Sequence, residues 1–230
     1  TYDGKPHSVK VTKTDASKHY TITYGESAEN CNLEESPKYT NAGPYPYKIY
    51  FKVVDNDTQA EEKGSVTLTI NKKAVTVKVN DVTITYGETP KFEYTVTGLV
   101  DGETLSGEAV YSGAGKDVGK YDISVSGLTA SDNYNASFVP GKLTISKKEA
   151  EVAWTIAENY VYNDGQTLPT ATYDGKTASL IFTKDGTVCE FKTAGTYTVT
   201  VKEDKNYTLS GETTKTITIN KAKYTSVTAH

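Results

Sequence analysis

The sequence of 230 residues contains no methionine and only two cysteines and one tryptophan. It also lacks a long apolar run, because threonine or lysine interrupts the hydrophobic segments about every second residue. No stretch approaches the roughly 20 apolar residues that span a bilayer. The net charge is −4 and no basic cluster stands out. We therefore expect no membrane insertion in this segment and no nucleic-acid partner.

The scarcity of cysteine argues against two further classes of protein. Cys31 and Cys189 occupy non-equivalent places and are predicted to be unpaired thiols. No Cys-x-x-Cys pair exists and the three histidines, His7, His19 and His230, are scattered, so structural zinc is not expected. No histidine lies near Cys189 in the sequence to activate it as a nucleophile. The sequence predicts a protein that is not an enzyme and has no cofactor or metal.

What the sequence does contain is a repeat. A Gly-x-Tyr triplet occurs three times at a spacing of 76 residues, at Gly43 and Tyr45, Gly119 and Tyr121, and Gly195 and Tyr197. A Leu-Thr-Ile or Ile-Thr-Ile ending followed by lysine keeps nearly the same step. Such a period indicates a tandem array of one small unit, and it predicts modules at residues 1–71, 72–147 and 148–222. Because the chain starts at threonine, we expect a segment of a longer protein.

Apolar residues alternate with threonine, lysine and serine, which is typical of half-buried strands in antiparallel sheets. The clearest runs are Val66 to Ile70, Val75 to Val79, Val82 to Tyr86, Tyr121 to Val125 and Tyr197 to Val201. The best helix candidate is one turn around Leu99 to Leu105. The predicted fold is all-β, with three tandem small antiparallel β-sandwich modules, immunoglobulin-like, in an elongated array. The joints, such as Asn71 to Ala74, are too short to behave as flexible coils.

The Gly-x-Tyr triplets suggest a topological role for their tyrosines. Each tyrosine opens a strand after a glycine that can form a tight corner, and tyrosines at such corners commonly bond backwards to the backbone. We interpret Tyr45, Tyr121 and Tyr197 in this way; the alternative is that they are ordinary core tyrosines. Alternation predicts that all three, with Tyr47, face inwards.

Two other features allow a functional and a structural interpretation. Asp55-Asn56-Asp57 offers oxygen ligands for calcium but lacks the glycine and the bidentate acid of a calcium loop, so turn formation is the better interpretation. Tyrosine is abundant, with 18 Tyr against 5 Phe. Its rings suit either a sugar-binding surface or a thin core in which the hydroxyls stay wet.

The middle repeat carries the motifs of a known family. The segments are Thr85-Tyr86-Gly87-Glu88-Thr89-Pro90, Gly98-Leu99-Val100-Asp101-Gly102-Glu103, Val118-Gly119-Lys120-Tyr121, and Asn133-Tyr134 through Leu143-Thr144-Ile145. They resemble the MBG or YDG-type repeat modules of bacterial cell-surface proteins. The first and third repeats carry the variants Thr1-Tyr2-Asp3-Gly4-Lys5-Pro6 and Val161-Tyr162-Asn163-Asp164-Gly165-Gln166, and the first lacks Asn-Tyr in its last hairpin.

The resemblance implies an extracellular protein, secreted or on the bacterial cell surface, in which these units act as a stalk or spacer that presents other domains. It brings no catalytic residue to this sequence. The alternative is an adhesin-type binding module for a glycan or for a host or environmental protein. We expect the segment to be a monomer.

Overall fold

The computed structural model describes residues 1–15, 17–162 and 167–223. The predicted all-β class is confirmed, since the described residues form strands and turns and no helix. None of them, accordingly, supplies a helix with the length and apolar character needed to cross a bilayer. The strands of the first half are β1 (Tyr20–Gly25), β2 (Tyr47–Asp55), β3 (Glu61–Leu68), β4 (Lys73–Val79), β5 (Val82–Thr85), β6 (Tyr94–Thr97), β7 (Ser106–Ser112) and β8 (Gly119–Thr129).

The remaining strands follow in chain order. They are β9 (Tyr134–Val139), β10 (Gly141–Ser146), β11 (Lys148–Glu151), β12 (Ala153–Thr155), β13 (Tyr160–Val161), β14 (Thr170–Tyr173), β15 (Lys176–Thr177), β16 (Leu180–Lys184), β17 (Thr187–Val188), β18 (Gly195–Val201), β19 (Tyr207–Ser210) and β20 (Thr214–Asn220). The chain divides into two compact units. Unit 1 comprises Thr1–Asp81, Phe92–Gly113 and Asp122–Lys142, and unit 2 comprises Val82–Lys91, Ala114–Tyr121 and Leu143–His230.

Unit 1 contains two three-stranded sheets, ordered β1-β2-β3 and β6-β4-β9. In the first sheet the pairings are antiparallel, with Tyr47 opposite Leu68. The alternation predicted for β4 is observed, because its valines Val75, Val77 and Val79 are all buried. β7 pairs with the part of β8 from Ser124 to Thr129, with an irregularity between Gly107 and Val110. The core of this unit includes Tyr2, Ala42, Ile70, Val75 and Tyr134.

Unit 2 is built around the five-stranded sheet β13-β20-β18-β16-β17, beside β12-β14-β15 and the pair β11-β19. The alternating residues Tyr197, Val199 and Val201 of β18 are buried, as the sequence predicts. Two apolar clusters result, one around Tyr173 and Tyr207 and the other around Phe191 and Tyr197. Trp154 and Leu180 pack against both clusters.

The structure differs from the expected antiparallel sheets in four strand pairs. β4 with β9, β5 with β10, β11 with β19 and β13 with β20 run parallel. Parallel neighbours need a long connection between them. Here that connection is most of a repeat, since each pair joins a strand near the start of a repeat to one near its end. The division into three modules stays a prediction.

The helical turn expected around Leu99 to Leu105 is wrong. The chain there forms a turn at Asp101-Gly102, with the amide of Glu103 donating to the carbonyl of Val100 at 3.0 Å. Gly102 has a φ of 85°, a left-handed conformation that suits glycine and ends any helical path. This turn places the Glu103 carboxylate beside the tyrosines described below.

Candidate functional site: two repeated junctions

The corner tyrosines hold the chain just before the strands that they open. In unit 2, Tyr121 O–H donates to the carbonyl of Asp117 at 2.8 Å, and Tyr197 O–H donates to that of Thr193 at 2.9 Å. Both bonds run four residues backwards along the chain. Each corner fixes the position of the residue that precedes the glycine, and in the corner of Tyr121 that residue, Val118, contacts Asn206.

Tyr45 does not follow the prediction. Its side chain is 81% exposed, and Tyr47 instead donates a backward hydrogen bond, to the carbonyl of Asn41 at 2.8 Å. The first repeat has Pro44-Tyr45-Pro46 between glycine and the corner tyrosine, so the ring two residues later reaches the corner. Tyr47 is further held by a parallel stack on Tyr39, with ring centroids 4.0 Å apart.

The first junction lies in unit 1 and joins the first predicted repeat to the second. Asn133 lies in the turn between β8 and β9, which belong to different sheets and form no hairpin. Its side-chain oxygen accepts the amide N–H of Ala42 at 2.8 Å. Its side-chain nitrogen donates to Asn41 at 3.2 Å. Its backbone carbonyl accepts the amide of Lys73 at 2.9 Å. One asparagine therefore holds the corner of one repeat and the first strand of the next.

Two tyrosines and one carboxylate complete the first junction. The rings of Tyr2 and Tyr134 meet edge to face, with centroids 5.4 Å apart. Tyr134 O–H donates to one oxygen of Glu103 at 2.6 Å, and Tyr2 O–H donates to the other. The Tyr134 oxygen also accepts the amide of Val100 at 2.9 Å. Glu103 thus links two tyrosines that lie 132 positions apart in the chain and are both buried.

The second junction lies in unit 2 and repeats this arrangement. Asn206 accepts the amide N–H of Val118 on its side-chain oxygen at 2.9 Å and donates from its side-chain nitrogen to Asp117 at 2.8 Å. Its carbonyl accepts the amide of Lys148 at 3.0 Å. Asn206 is only 5% exposed, so these bonds are shielded from water. Val118 precedes Gly119 just as Ala42 precedes Gly43.

The ring pair also repeats in the second junction. Tyr86 and Tyr207 meet edge to face at 5.3 Å, and Tyr207 O–H donates to Asp174 at 2.8 Å. Here the carboxylate bonds a lysine instead of a second tyrosine, because Lys148 Nζ lies 2.7 Å from Asp174. Lys176 Nζ lies 4.5 Å from the centre of the Tyr207 ring and 5.3 Å from that of Tyr86. In the second junction the carboxylate therefore pairs with a charged lysine, whereas in the first it accepts hydrogen bonds from two tyrosine hydroxyls.

The charges follow from these contacts. Hydrogen bonds from Tyr134 and Tyr2 hold the pKa of the Glu103 carboxyl below its ordinary value. The bond to Glu103, and then burial, raises the pKa of Tyr2. In the second junction Lys148, followed by Tyr207, lowers the pKa of Asp174. Both carboxylates are therefore charged at neutral pH and act as acceptors only.

The last hairpin of the first repeat is different. Asp55 Oδ1 accepts the amides of Asp57 and Thr58 at 2.9 and 3.1 Å, which supports the turn interpretation. The side-chain oxygen of Asn56 accepts the hydroxyl of Thr21 at 2.9 Å within the same repeat. Across residues 1–15, 17–162 and 167–223, no group of three His, Cys, Asp or Glu side chains is arranged to hold a metal ion.

The cysteines and histidines lie away from the junctions. Cys31 and Cys189 are both half-buried free thiols. His7 contacts Asp3 at 2.8 Å, and His19 lies 3.5 Å from Asp57. His230 and the motif residues Asn163 to Gln166 lie outside the described residues.

The sequence predicted the tyrosine corners but not the contacts that Asn133 and Asn206 make with the residue before the corner glycine. The relevant signal was the Asn-Tyr pair, which recurs 73 residues apart at Asn133 and Asn206 and which the first repeat lacks. A second signal was an acidic residue beside a glycine turn, Glu103 after Gly102 and Asp174 before Gly175. Neither signal says that the partner is the preceding repeat.

These features define a β protein in which two turns, at Asn133 and Asn206, make equivalent contacts at two junctions. Residues 75–144 match the family model of the MBG domain (YGX type), so the chain contains an MBG domain and the resemblance is confirmed there. No curated protein matches the chain.

Nine solved chains match, and one of them aligns over 96% of this chain. It is the Bacteroides ovatus mixed-linkage glucan utilization locus SGBP-B in complex with a mixed-linkage heptasaccharide, at 14% identity and a TM-score of 0.18. The match covers 65% of that chain's length. A TM-score this low transfers neither a fold nor a ligand.

Proposed function

We propose that this segment is a non-catalytic stalk or spacer of a bacterial cell-surface or secreted protein, which presents other domains at a fixed distance. The assignment extends the MBG character of residues 75–144 to the flanking repeats, whose junction residues occupy corresponding positions. The chemistry required of a stalk is modest. Consecutive repeats must keep their relative orientation, and their joints must resist bending.

The observation that carries the proposal is the repetition of the junction. Neighbouring domains in one chain normally move relative to each other unless the interface between them is well packed. Here Asn133 and Asn206 each bond to both sides of a joint, and buried tyrosines close the remaining gap. A flexible linker has no physical reason to reproduce the same contacts at two joints. A device for setting orientation does.

The two native cysteines allow a direct test. Cys31 lies in the first predicted repeat and Cys189 in the third, so spin labels attached to both report on the two joints together. We expect a single narrow distance distribution in a pulsed electron resonance experiment. The Asn133→Ala and Asn206→Ala double variant is the control and is expected to broaden it. An equally broad distribution in the unaltered chain would sink the stalk proposal.

One observation favours a second candidate, an adhesin-type binding module. Tyr45 projects from between two prolines with 81% of its surface exposed, and an exposed amphipathic ring can stack on a sugar face or on a partner protein. A glycan and protein array probed with the chain and with Tyr45→Ala tests this. Binding that is lost in the variant supports it, and a blank array counts against it.

A further inference from the structure

A third copy of one half of a junction is present in unit 2. The amide of Tyr162 donates to the carbonyl of Asn220 at 2.8 Å. The same bond joins Tyr2 to Asn71 in the first junction and Tyr86 to Ser146 in the second. β13 also runs parallel to β20, as β5 runs parallel to β10. Tyr162 therefore holds the position that Tyr2 and Tyr86 hold in the completed junctions.

The corner on this half is also formed. The Tyr197 bond to Thr193 forms the corner here. Ala194 immediately precedes Gly195, as Ala42 precedes Gly43 and Val118 precedes Gly119 in the other repeats. The amides of Ala42 and Val118 each donate to an asparagine side chain. Within the described part of the chain, no group accepts a hydrogen bond from the Ala194 amide. This half of a junction is therefore preformed and lacks its asparagine.

The exposure of the tyrosine agrees with a missing partner. Tyr2, which the Tyr134 ring covers, is 5% exposed, whereas Tyr162 is 46% exposed. Ala222 follows Asn220 at the interval at which Lys73 follows Asn71 and Lys148 follows Ser146. Since the amides of Lys73 and Lys148 donate to the carbonyls of Asn133 and Asn206, the Ala222 amide is the corresponding second donor.

We propose that the surface formed by Tyr162, Ala194 and Ala222 is a docking site for the Asn-Tyr turn of a further MBG-type repeat. The asparagine side chain would accept the Ala194 amide, its carbonyl would accept the Ala222 amide, and the tyrosine ring would cover Tyr162. The proposal deepens the stalk function and rests on it through the junction geometry. The partner is defined by the asparagine and the tyrosine that the completed junctions use.

A second copy of this chain does not fit as the partner. Its two Asn-Tyr turns, at Asn133 and Asn206, are already engaged in its own junctions. The corresponding hairpin of the first repeat has Asp57 in place of tyrosine, and its Asn56 side chain bonds Thr21. The occupant must therefore bring an Asn-Tyr turn of its own.

The test supplies that turn in the same polypeptide. Residues 1–222 are followed by a second copy of residues 149–223, so that Ala222 is retained at the place of Lys148 and the appended Asn206-Tyr207 turn stands in the register of a junction. Hydrogen exchange of the Ala194 amide is measured by NMR. We expect it to slow at least about tenfold relative to the original chain, because the amide becomes bonded. The Val118 amide serves as an internal reference for the intact second junction.

Asn206→Ala in the appended copy alone is the matched control. It should return Ala194 to its original exchange rate and leave Val118 unchanged. Equal Ala194 exchange in the extended and original chains, with Val118 still protected, would overturn the docking site. The stalk proposal is tested separately by spin-label distances in the unextended chain, so one proposal can fail while the other stands.

Discussion

The two junctions share one skeleton and differ in their electrostatics. In both, an asparagine accepts the amide that precedes a corner glycine, and two tyrosine rings meet edge to face. In the first, Glu103 accepts from two phenol hydroxyls. In the second, Asp174 accepts from Tyr207 and pairs with Lys148. The asparagine and the ring pair therefore define the joint, whereas the partners of the carboxylate vary.

The largest expected effect is that of removing the asparagine. Asn206→Ala leaves the Val118 amide without its acceptor in a buried site, which we expect to cost about 2–3 kcal/mol of unfolding free energy. Urea unfolding followed by Trp154 fluorescence reports on unit 2, because this is the sole tryptophan. An unchanged midpoint would show that the asparagine does not hold the second junction.

The same change in the first junction should cost less. Asn133 is only half-buried, so water can satisfy part of what Asn133→Ala leaves unpaired. We expect about 1–2 kcal/mol, read from the exchange of the Ala42 amide in place of tryptophan fluorescence. A larger loss here than for Asn206→Ala would reverse the ranking by burial.

Removing a tyrosine hydroxyl should destabilise the first junction more than the second. This is the reverse of the order expected for the two asparagine variants. Tyr134→Phe loses the bond to Glu103 and the acceptor for the Val100 amide, an expected cost of about 1–2 kcal/mol. Tyr207→Phe should cost less, because Asp174 keeps Lys148 as a partner. Parallel urea unfolding of the two variants tests this. Equal losses would mean that the differing partners of the carboxylates do not matter.

Acid should weaken the first junction through Glu103. Because its folded-state pKa lies below the ordinary value of 4.5, the charged carboxylate contributes stability that is fully present above that value and is lost as the pH falls through the lower folded pKa. Glu103→Gln removes this contribution. The difference in stability between the original chain and the variant should therefore be constant near neutral pH and vanish in strong acid. A difference in stability that does not change with pH would contradict a stabilising role for the charge on Glu103.

Salt should give the smallest effect and should act on the second junction. Lys148–Asp174 and Lys205–Asp117 are partly exposed pairs, which salt screens. We expect exchange of the Val118 amide to accelerate slightly in 1 M sodium chloride and that of Ala42 to stay unchanged. Equal acceleration at both amides would indicate a general effect instead of an ionic junction.

Local patterns in the sequence were sufficient to predict the strands and corners. The alternation in β4 and β18, the backward bonds of Tyr121 and Tyr197 and the turn at Asp55 all depend on nearby residues. The inward orientation of Tyr45 failed because two prolines lengthen its corner. The parallel pairs and the junction contacts join residues up to 132 positions apart, and no local pattern encodes which repeat the Asn-Tyr turn meets.

The most direct test of the central claim is hydrogen exchange at three amides of the unmodified chain, Ala42, Val118 and Ala194. They occupy the same position in three repeats; the first two have an asparagine acceptor and the third has none. If the asparagines hold the repeats together, protection should be strong at Val118 and somewhat weaker at Ala42, and Ala194 should exchange fast. If Ala42 and Val118 exchange as fast as Ala194, Asn133 and Asn206 do not hold the repeats together.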